Sequence, residues 1–265
     1  MRTVLENNFL RLEVESKGAE LKSLKCLQSQ QEYMWSGDPE FWGRTAPVVF
    51  PIVGRLVNDR YTYNGKEYSM SQHGFARDSE FELVETDFTS LRYRLKETED
   101  TLRSYPFKFQ LDIIYELTDN ELHTIYEVKN PSDEKLLFSI GGHPAFNCQW
   151  QENDQISDYY LEFNEKENSS QMMLDLPYFN GEYAPYFNKS KIIKLDDDTF
   201  HNDALVFPYL YSTRVSLKRN EGSDRHLQFN FEGFPLLAIW SQPKAPFVCI
   251  EPWHGHADFA EHDGD

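Results

Sequence analysis

A chain of 265 residues with a formal charge of −18 at neutral pH repels phosphate backbones and anionic membrane surfaces, which excludes nucleic acid and membrane as partners. Aromatic residues make up 15% of it, which suits strand-rich architecture, and the length accommodates one large β domain over residues 1–265. Cys26, Cys148 and Cys249 are too few and too scattered for a disulfide framework or a zinc motif, and no apolar leader or membrane-length run is read, so a soluble cytoplasmic protein is expected.

Alternation of period two begins at once: Leu10, Leu12 and Val14 share one face, with Arg11, Glu13 and Glu15 on the other. Gly18 punctuates, and Leu21 and Leu24 open a second strand. Asp38 to Gly43 predicts a short helical turn, with Asp38 as N-cap and Pro39 at the first helical position. Pro47 and Pro51 bracket an apolar strand that delivers Arg55 just after Gly54. Asn64-Gly65, flanked by Tyr61-Thr62-Tyr63 and Lys66-Glu67-Tyr68, signals a hairpin. Directly after it stands Gln72-His73-Gly74-Phe75-Ala76-Arg77.

Residues 81 to 140 read as a meander of alternating strands, turned at Asp119-Asn120 and Asn130-Pro131-Ser132-Asp133. Leu136 to Ile140 reads as a buried strand that stops at Gly141-Gly142, followed by His143. Residues 150 to 190 are polar and rich in Asn, Tyr and Pro, which predicts long loops with short strands. Leu227, Phe229 and Phe231 alternate again, Gly233 turns the chain into Leu236 to Trp240, and the last strand, Phe247 to Ile250, ends at Glu251-Pro252-Trp253. Closely spaced strands with almost no helical periodicity mean antiparallel sheets. The expected fold is all-β, a large antiparallel sandwich.

The chemistry-bearing residues stand at strand ends. Arg55 follows a glycine, His73 precedes one, and His143 and Glu251 each precede a proline that holds them extended. Converging on one cleft, such a group gives a proton, takes a proton and holds hydroxyl oxygens, with no obvious thiol or serine nucleophile.

The motifs Gln72-His73-Gly74-Phe75-Ala76-Arg77, Gly142-His143-Pro144-Ala145-Phe146 and Cys249-Ile250-Glu251-Pro252-Trp253 resemble those of the aldose 1-epimerase (galactose mutarotase-like) family, in particular its short LacX-like branch. They occur in the family's order, and the resemblance runs from about residue 5 to the C-terminus. It implies a twisted antiparallel β-sandwich with a sugar cleft across one sheet, and ring opening and closure of a cyclic hemiacetal without a metal or organic cofactor. It further implies Glu251 as base, His143 as acid, His73 as a polarising partner on the ring-oxygen side, and Arg55 and Asp203 as sugar-binding residues. The partner is then a small sugar, an aldohexose or its phosphate, and the protein a monomer or homodimer.

Two rival functions remain. Arg44 and Arg77 read as structural by default, yet hexose-6-phosphate members of the family share the HGFAR pattern, so the two form a candidate phosphate clamp. A non-catalytic carbohydrate-binding domain needs an aromatic platform, for which Trp253, Trp240 and Phe146 are candidates, but dispenses with His143 and Glu251. The tail His254 to Asp263 resembles a metal cluster by composition but is read as a solvated segment, and Asp196-Asp197-Asp198 as a solvated loop. Family members continue beyond this tail, whereas the sequence stops at Asp265, leaving a short or a truncated final edge.

Overall fold

The computed structural model describes residues 1–221 and 226–262, so the Asp263 end of the tail and the stop at Asp265 lie outside the described residues. The predicted antiparallel architecture is present. Arg2–Glu6, Leu10–Glu15 and Glu20–Cys26 form a three-stranded sheet, in which Leu10, Leu12 and Val14 point into the core as their alternation predicts. The meander becomes a four-stranded sheet of Glu82–Thr86, Ser90–Lys96, Gln110–Thr118 and Glu121–Lys129 in simple sequence order. Asn64 (φ 51°) and Gly65 (φ 74°) both take positive φ between Arg60–Tyr63 and Lys66–Ser69, the geometry that lets a two-residue turn match strand twist.

An eight-stranded sheet carries the site. Its order is Tyr178–Pro185, Ser170–Asp175, Leu205–Pro208, Leu236–Trp240, Phe247–His254, Ile140–Gly142 and Val48–Val49, with Ala145–Asn147 also paired to Phe247–His254. Strand Phe247–His254 sits at its centre and sorts its side chains by parity. Val248 and Ile250 enter the main apolar core, which also takes Leu12, Phe109, Leu161 and Leu217 from the other sheets. Phe247, Cys249 and Trp253 pack in separate clusters, and Glu251 shares their parity.

Two segments depart from the sequence reading. Residues 150 to 190 are largely strand: Tyr159–Glu167, Ser170–Asp175 and Tyr178–Pro185 are all six residues or longer. Register shifts between Glu162 and Glu167 and between Met172 and Leu174 break the alternation that would have revealed them. Leu136 to Ser139, in turn, is not strand. Leu137 and Phe138 are 46% and 44% exposed, and the segment is tethered by single bonds, Tyr105 OH to Leu137 O (2.6 Å) and Ser139 N–H to Pro51 O (2.8 Å). The strand starts only at Ile140 and contains the two glycines. A Cβ on Gly141 would lie 2.6 Å from both Pro252 O and Trp253 Cδ1, so glycine here serves close approach to the neighbouring strand. One short helix, Glu99–Ser104, was not foreseen; Thr98 and Thr101 close a capping box at its start. Among the described residues no helix is long and apolar enough to cross a membrane.

Candidate active site

Prolines set the centre of the site. Gly141 pairs with Trp253 and Ala145 with Cys249, so continuing that register places His143 directly opposite Glu251. Pro144 interrupts the strand on one side of this position and Pro252 removes a backbone donor on the other. His143 N–H is held by Pro47 O at 3.0 Å and Ala145 N–H by Thr45 O at 2.8 Å, which fixes the interrupted segment from behind. The side chains meet across the gap as facing cross-strand neighbours do, with His143 Nε2 3.3 Å from Glu251 Oε2. His143 is 8% exposed and Glu251 1%. His143 Nδ1 has no hydrogen-bond partner and Glu251 Oε2 none beyond the His143 ring, an unusual condition for buried polar atoms and one that a bound ligand would relieve.

His73 reaches this pair from a loop. The residue takes φ 63°, the left-handed region that a side-chain-bearing residue enters only when held there. Its N–H donates to Gly54 O (2.7 Å), and its carbonyl accepts from Phe50 N–H (3.2 Å). At Gly74 a Cβ would collide with the Phe50 carbonyl, so the glycine after His73 is required by that close approach. Gly54 N–H donates to His73 Nδ1 (3.1 Å), which places the ring proton on Nε2 and makes His73 a neutral donor. The His73 and His143 rings meet edge to face, 5.6 Å apart.

Burial governs the proton affinities. It pushes the Glu251 carboxyl well above the usual carboxylate range, with the charge of Asp203 adding to the effect and the indole N–H of Trp253 opposing it. It pushes His143 down to about 3, and Arg77 and Arg44 add to that shift against a raising contribution from its own backbone. His73 is lowered well below the ordinary histidine value by burial, then by His143, Arg77 and Arg44. The Asp203 carboxyl is raised by burial despite Ala204 N–H and the Trp240 side chain, and its backbone takes φ 73°. Asp203, Glu251, His143, His73 and the two arginines thus form one electrostatically connected file, in which Asp203 acts on Glu251 and the arginines act on the two histidines.

The aromatic candidates divide between the core, the default place of an aromatic residue in a sandwich, and the site. Trp253 is 6% exposed and packs with Val49 and Ala238 over Gly141, so it buries Glu251 and does not offer a ring face. Phe146 lies in the main core. Trp240 does stand at the site, edge-on to His143 at 5.8 Å. Trp42, which sequence reasoning missed, stacks on His143 at 4.8 Å with the planes 24° apart. It belongs to the predicted turn: Asp38 O accepts from Phe41 and Trp42 N–H, and Trp35 Nε1–H donates to Trp42 O. A tryptophan in a polar turn, Phe41-Trp42-Gly43-Arg44, was the available signal.

Arg55 makes a two-bond fork with Asp59 (2.8 and 3.0 Å), half-exposed, on the loop that also carries Gly54. Arg77 donates to Gln72 O (2.7 Å) and Arg44 to Asp78 (2.9 Å). Arg77 Nε is buried without an acceptor. The tail is docked in place of the expected solvated segment: Ala257 packs against Gly54, Asp258 accepts from Val57 N–H (2.7 Å), and Phe179 N–H donates to Asp258 O. His254 and His256 bond to carbonyls of Gly233 and Ala257. Asp196 closes its own loop by accepting from Asp198 N–H and Thr199 Oγ1–H.

The sequence model of the aldose 1-epimerase family matches residues 1–263. The chain belongs to the aldose 1-epimerase family. The plasmid-encoded protein LacX of Lactococcus lactis subsp. lactis is 35% identical over 269 aligned positions, covering 96% of this chain and 88% of LacX. Among solved structures, a galactose mutarotase related enzyme from Lactobacillus acidophilus superposes with a TM-score of 0.95 at 38% identity, covering 100% of this chain and 89% of that one. A galactose mutarotase-like protein from Lactobacillus casei gives 0.92 at 30% identity, covering 99% and 90%. The fold is therefore the galactose mutarotase-like β-sandwich, and the chain is an isomerase-class enzyme acting on a sugar.

Proposed function

We propose that this aldose epimerase interconverts the α and β anomers of an aldohexose, with Glu251 and His143 as its proton-transfer pair. The observation that carries this reading is the pairing itself: an acid and a base 3.3 Å apart, both buried, with otherwise unsatisfied polar atoms. In ring opening, Glu251 takes the proton of O1–H, the C1–O5 bond breaks as C1=O1 forms, and O5 receives a proton from His143. Rotation about C1–C2 and the reverse transfers close the ring on the other face. Opening begins from ionised Glu251 and His143 and leaves both neutral, the arrangement that burial favours. Groups so placed contribute on the order of 10²- to 10⁴-fold in rate.

Neutral His73 directs its Nε2–H to the ring-oxygen side, and Asp203 accepts from a sugar hydroxyl. Arg55, preset by Asp59, donates to hydroxyls as well, and Trp42 and Trp240 shield the pair from water. Trp253 supports binding only through Glu251. Residues 1–265 act as one domain in this reading, because the main core draws on strands from Leu5 to Ile250.

A second reading, a hexose-6-phosphate mutarotase, is favoured by a specific feature: Arg44 and Arg77 lower the proton affinity of both histidines, and Arg77 Nε has no acceptor. A purely binding role leaves the buried His143–Glu251 pair without purpose. Polarimetry on freshly dissolved α-D-glucose and α-D-galactose, and coupled assays on the 6-phosphates, test the reading. Accelerated relaxation that vanishes in Glu251→Gln supports it; no acceleration on any of these sugars removes it.

A further inference from the structure

We infer that His143, Cys249 and Glu251 form a binding site for a borderline-soft divalent cation of the zinc type, and that the cation blocks the proton-transfer pair when bound. The site itself stands on geometry; only the inhibition rests on the proposed role of the pair.

One donor atom from each of the three residues lies within 4.8 Å of the others, and all three residues are buried. Tetrahedral zinc, with bonds of about 2.0–2.3 Å, separates its ligand atoms by roughly 3.3–3.8 Å. His143 Nε2 and Glu251 Oε2, 3.3 Å apart, already have that spacing. Cys249 precedes Glu251 by two on a strand, so both side chains leave the same face. Opposite Cys249 in the ladder stands Ala145, whose small side chain leaves the thiol room.

The charges suit a divalent ion. A thiolate and a carboxylate balance its two positive charges, so the buried complex carries no net charge. A nitrogen, sulfur and oxygen donor set selects zinc, or cadmium as its spectroscopic analogue, over calcium and magnesium, which require oxygen ligands. Glu251 Oε2, on a residue 1% exposed, has no partner beyond the His143 ring itself, which leaves lone-pair capacity for a ligand held between the two. A cysteine ligates as the thiolate. Binding therefore exchanges the thiol proton for the cation and weakens as pH falls. Once bound, the cation occupies the Glu251 lone pair that would take the O1 proton and the His143 Nε2 position that would carry the proton for O5.

The test is a cadmium titration of the intact chain without sugar, followed by the thiolate-to-cadmium charge-transfer absorption. That band reports a Cys ligand and is blind to the histidines of the tail. The expected result is a band saturating at one equivalent, present in Cys26→Ser and Cys148→Ser, absent in folded Cys249→Ser, and erased by added zinc. Glu251→Gln weakens cadmium binding on the order of tenfold or more. A band that survives Cys249→Ser, an affinity unchanged by Glu251→Gln, or no band at millimolar cadmium overturns the site. Should Cys249→Ser fail to fold, the Glu251→Gln titration decides alone. Polarimetry on the metal-free protein separates the two readings: a cadmium band with no turnover before metal is added removes the mutarotase and keeps the site, and metal-free turnover without a band does the reverse. Where both are present, turnover should fall in step with the band, and turnover unchanged at saturating cadmium overturns the block.

Discussion

Trp42 lies over the imidazole of His143, ring centroids 4.8 Å apart and planes 24° from parallel, while Trp240 closes its edge. An indole face attracts a cation, so stacking alone would favour protonated histidine. Loss of water outweighs it, and His143 falls to about 3.

Trp42→Leu should therefore raise the proton affinity of His143 toward its ordinary value near 6.5. The working pair carries one proton, and the acid limb of the rate profile marks arrival of a second on His143. In the wild-type protein that limb should lie far below pH 6, so that activity persists at pH 5. In Trp42→Leu it should move upward. A pH–rate profile on both proteins checks this, and superimposable acid limbs would contradict the shielding role.

Glu251→Gln should trade activity for stability. The amide cannot accept the O1 proton, so the rate should fall on the order of 10²- to 10⁴-fold while sugar binding is retained. The raised carboxyl has a sign for stability as well. Between the unfolded value near 4.5 and the folded value above it, the native state holds the extra proton, so stability declines as pH rises through that window. Glutamine does not titrate, and the variant should melt above the wild type at alkaline pH, by about 2–4 °C for each kcal/mol regained. Scanning calorimetry across pH should show the gap widening from pH 5 upward; a constant gap would mean the carboxyl is not the source.

The sequence disclosed the parity of the central strand and the proline after each member of the pair, because both are local. Gln72-His73-Gly74 was legible for the same reason, as glycine is the only residue that fits beneath Phe50. The facing of His143 and Glu251 required the ladder register, which depends on residues more than a hundred positions apart. Trp253 misled because its aromatic character is independent of whether its face is covered; Gly141, a feature of another strand, decides that. Cys249 belongs to no zinc motif along the chain, because His143 comes beside Cys249 and Glu251 only across two paired strands.

The sheet that backs the core depends on an ionic knot. Asp112 is fully buried, and burial works to raise its carboxyl, yet bonds from Arg94 (2.6 and 2.8 Å) and Arg92 (2.9 Å) leave it below the usual range. Its contribution to stability is thus present above pH 3.8 and is lost as pH falls through the folded value. Asp112→Ala takes the fork from Arg94 while Arg92 keeps Glu127 and Glu85, and should cost about 1.5–3 kcal/mol, the range of a hydrogen bond to a charged group. Denaturant titration at pH 7 and pH 3 should show that loss shrinking in acid. An equal loss at both would assign the effect to packing.

The arginines decide between the free sugar and its phosphate. Among the described residues Arg44 is tied to exposed Asp78 alone and acts on His73 and His143 through its charge, so it can be altered without unpicking the His73 loop. If the arginines bind a 6-phosphate, Arg44→Gln should raise KM for the phosphorylated sugar by about tenfold, roughly 1.4 kcal/mol of lost charge pairing. The unphosphorylated sugar makes no such pair, so its KM should stay within about twofold. Arg77→Lys should show the same selectivity more strongly, because an ammonium cannot replace the planar fork whose Nε–H has no acceptor within the protein. Removing the Arg44 charge also relieves both histidines, so the acid limb should rise slightly with either sugar. Equal KM changes for both sugars would place the arginines in the scaffold and leave the neutral aldohexose as substrate.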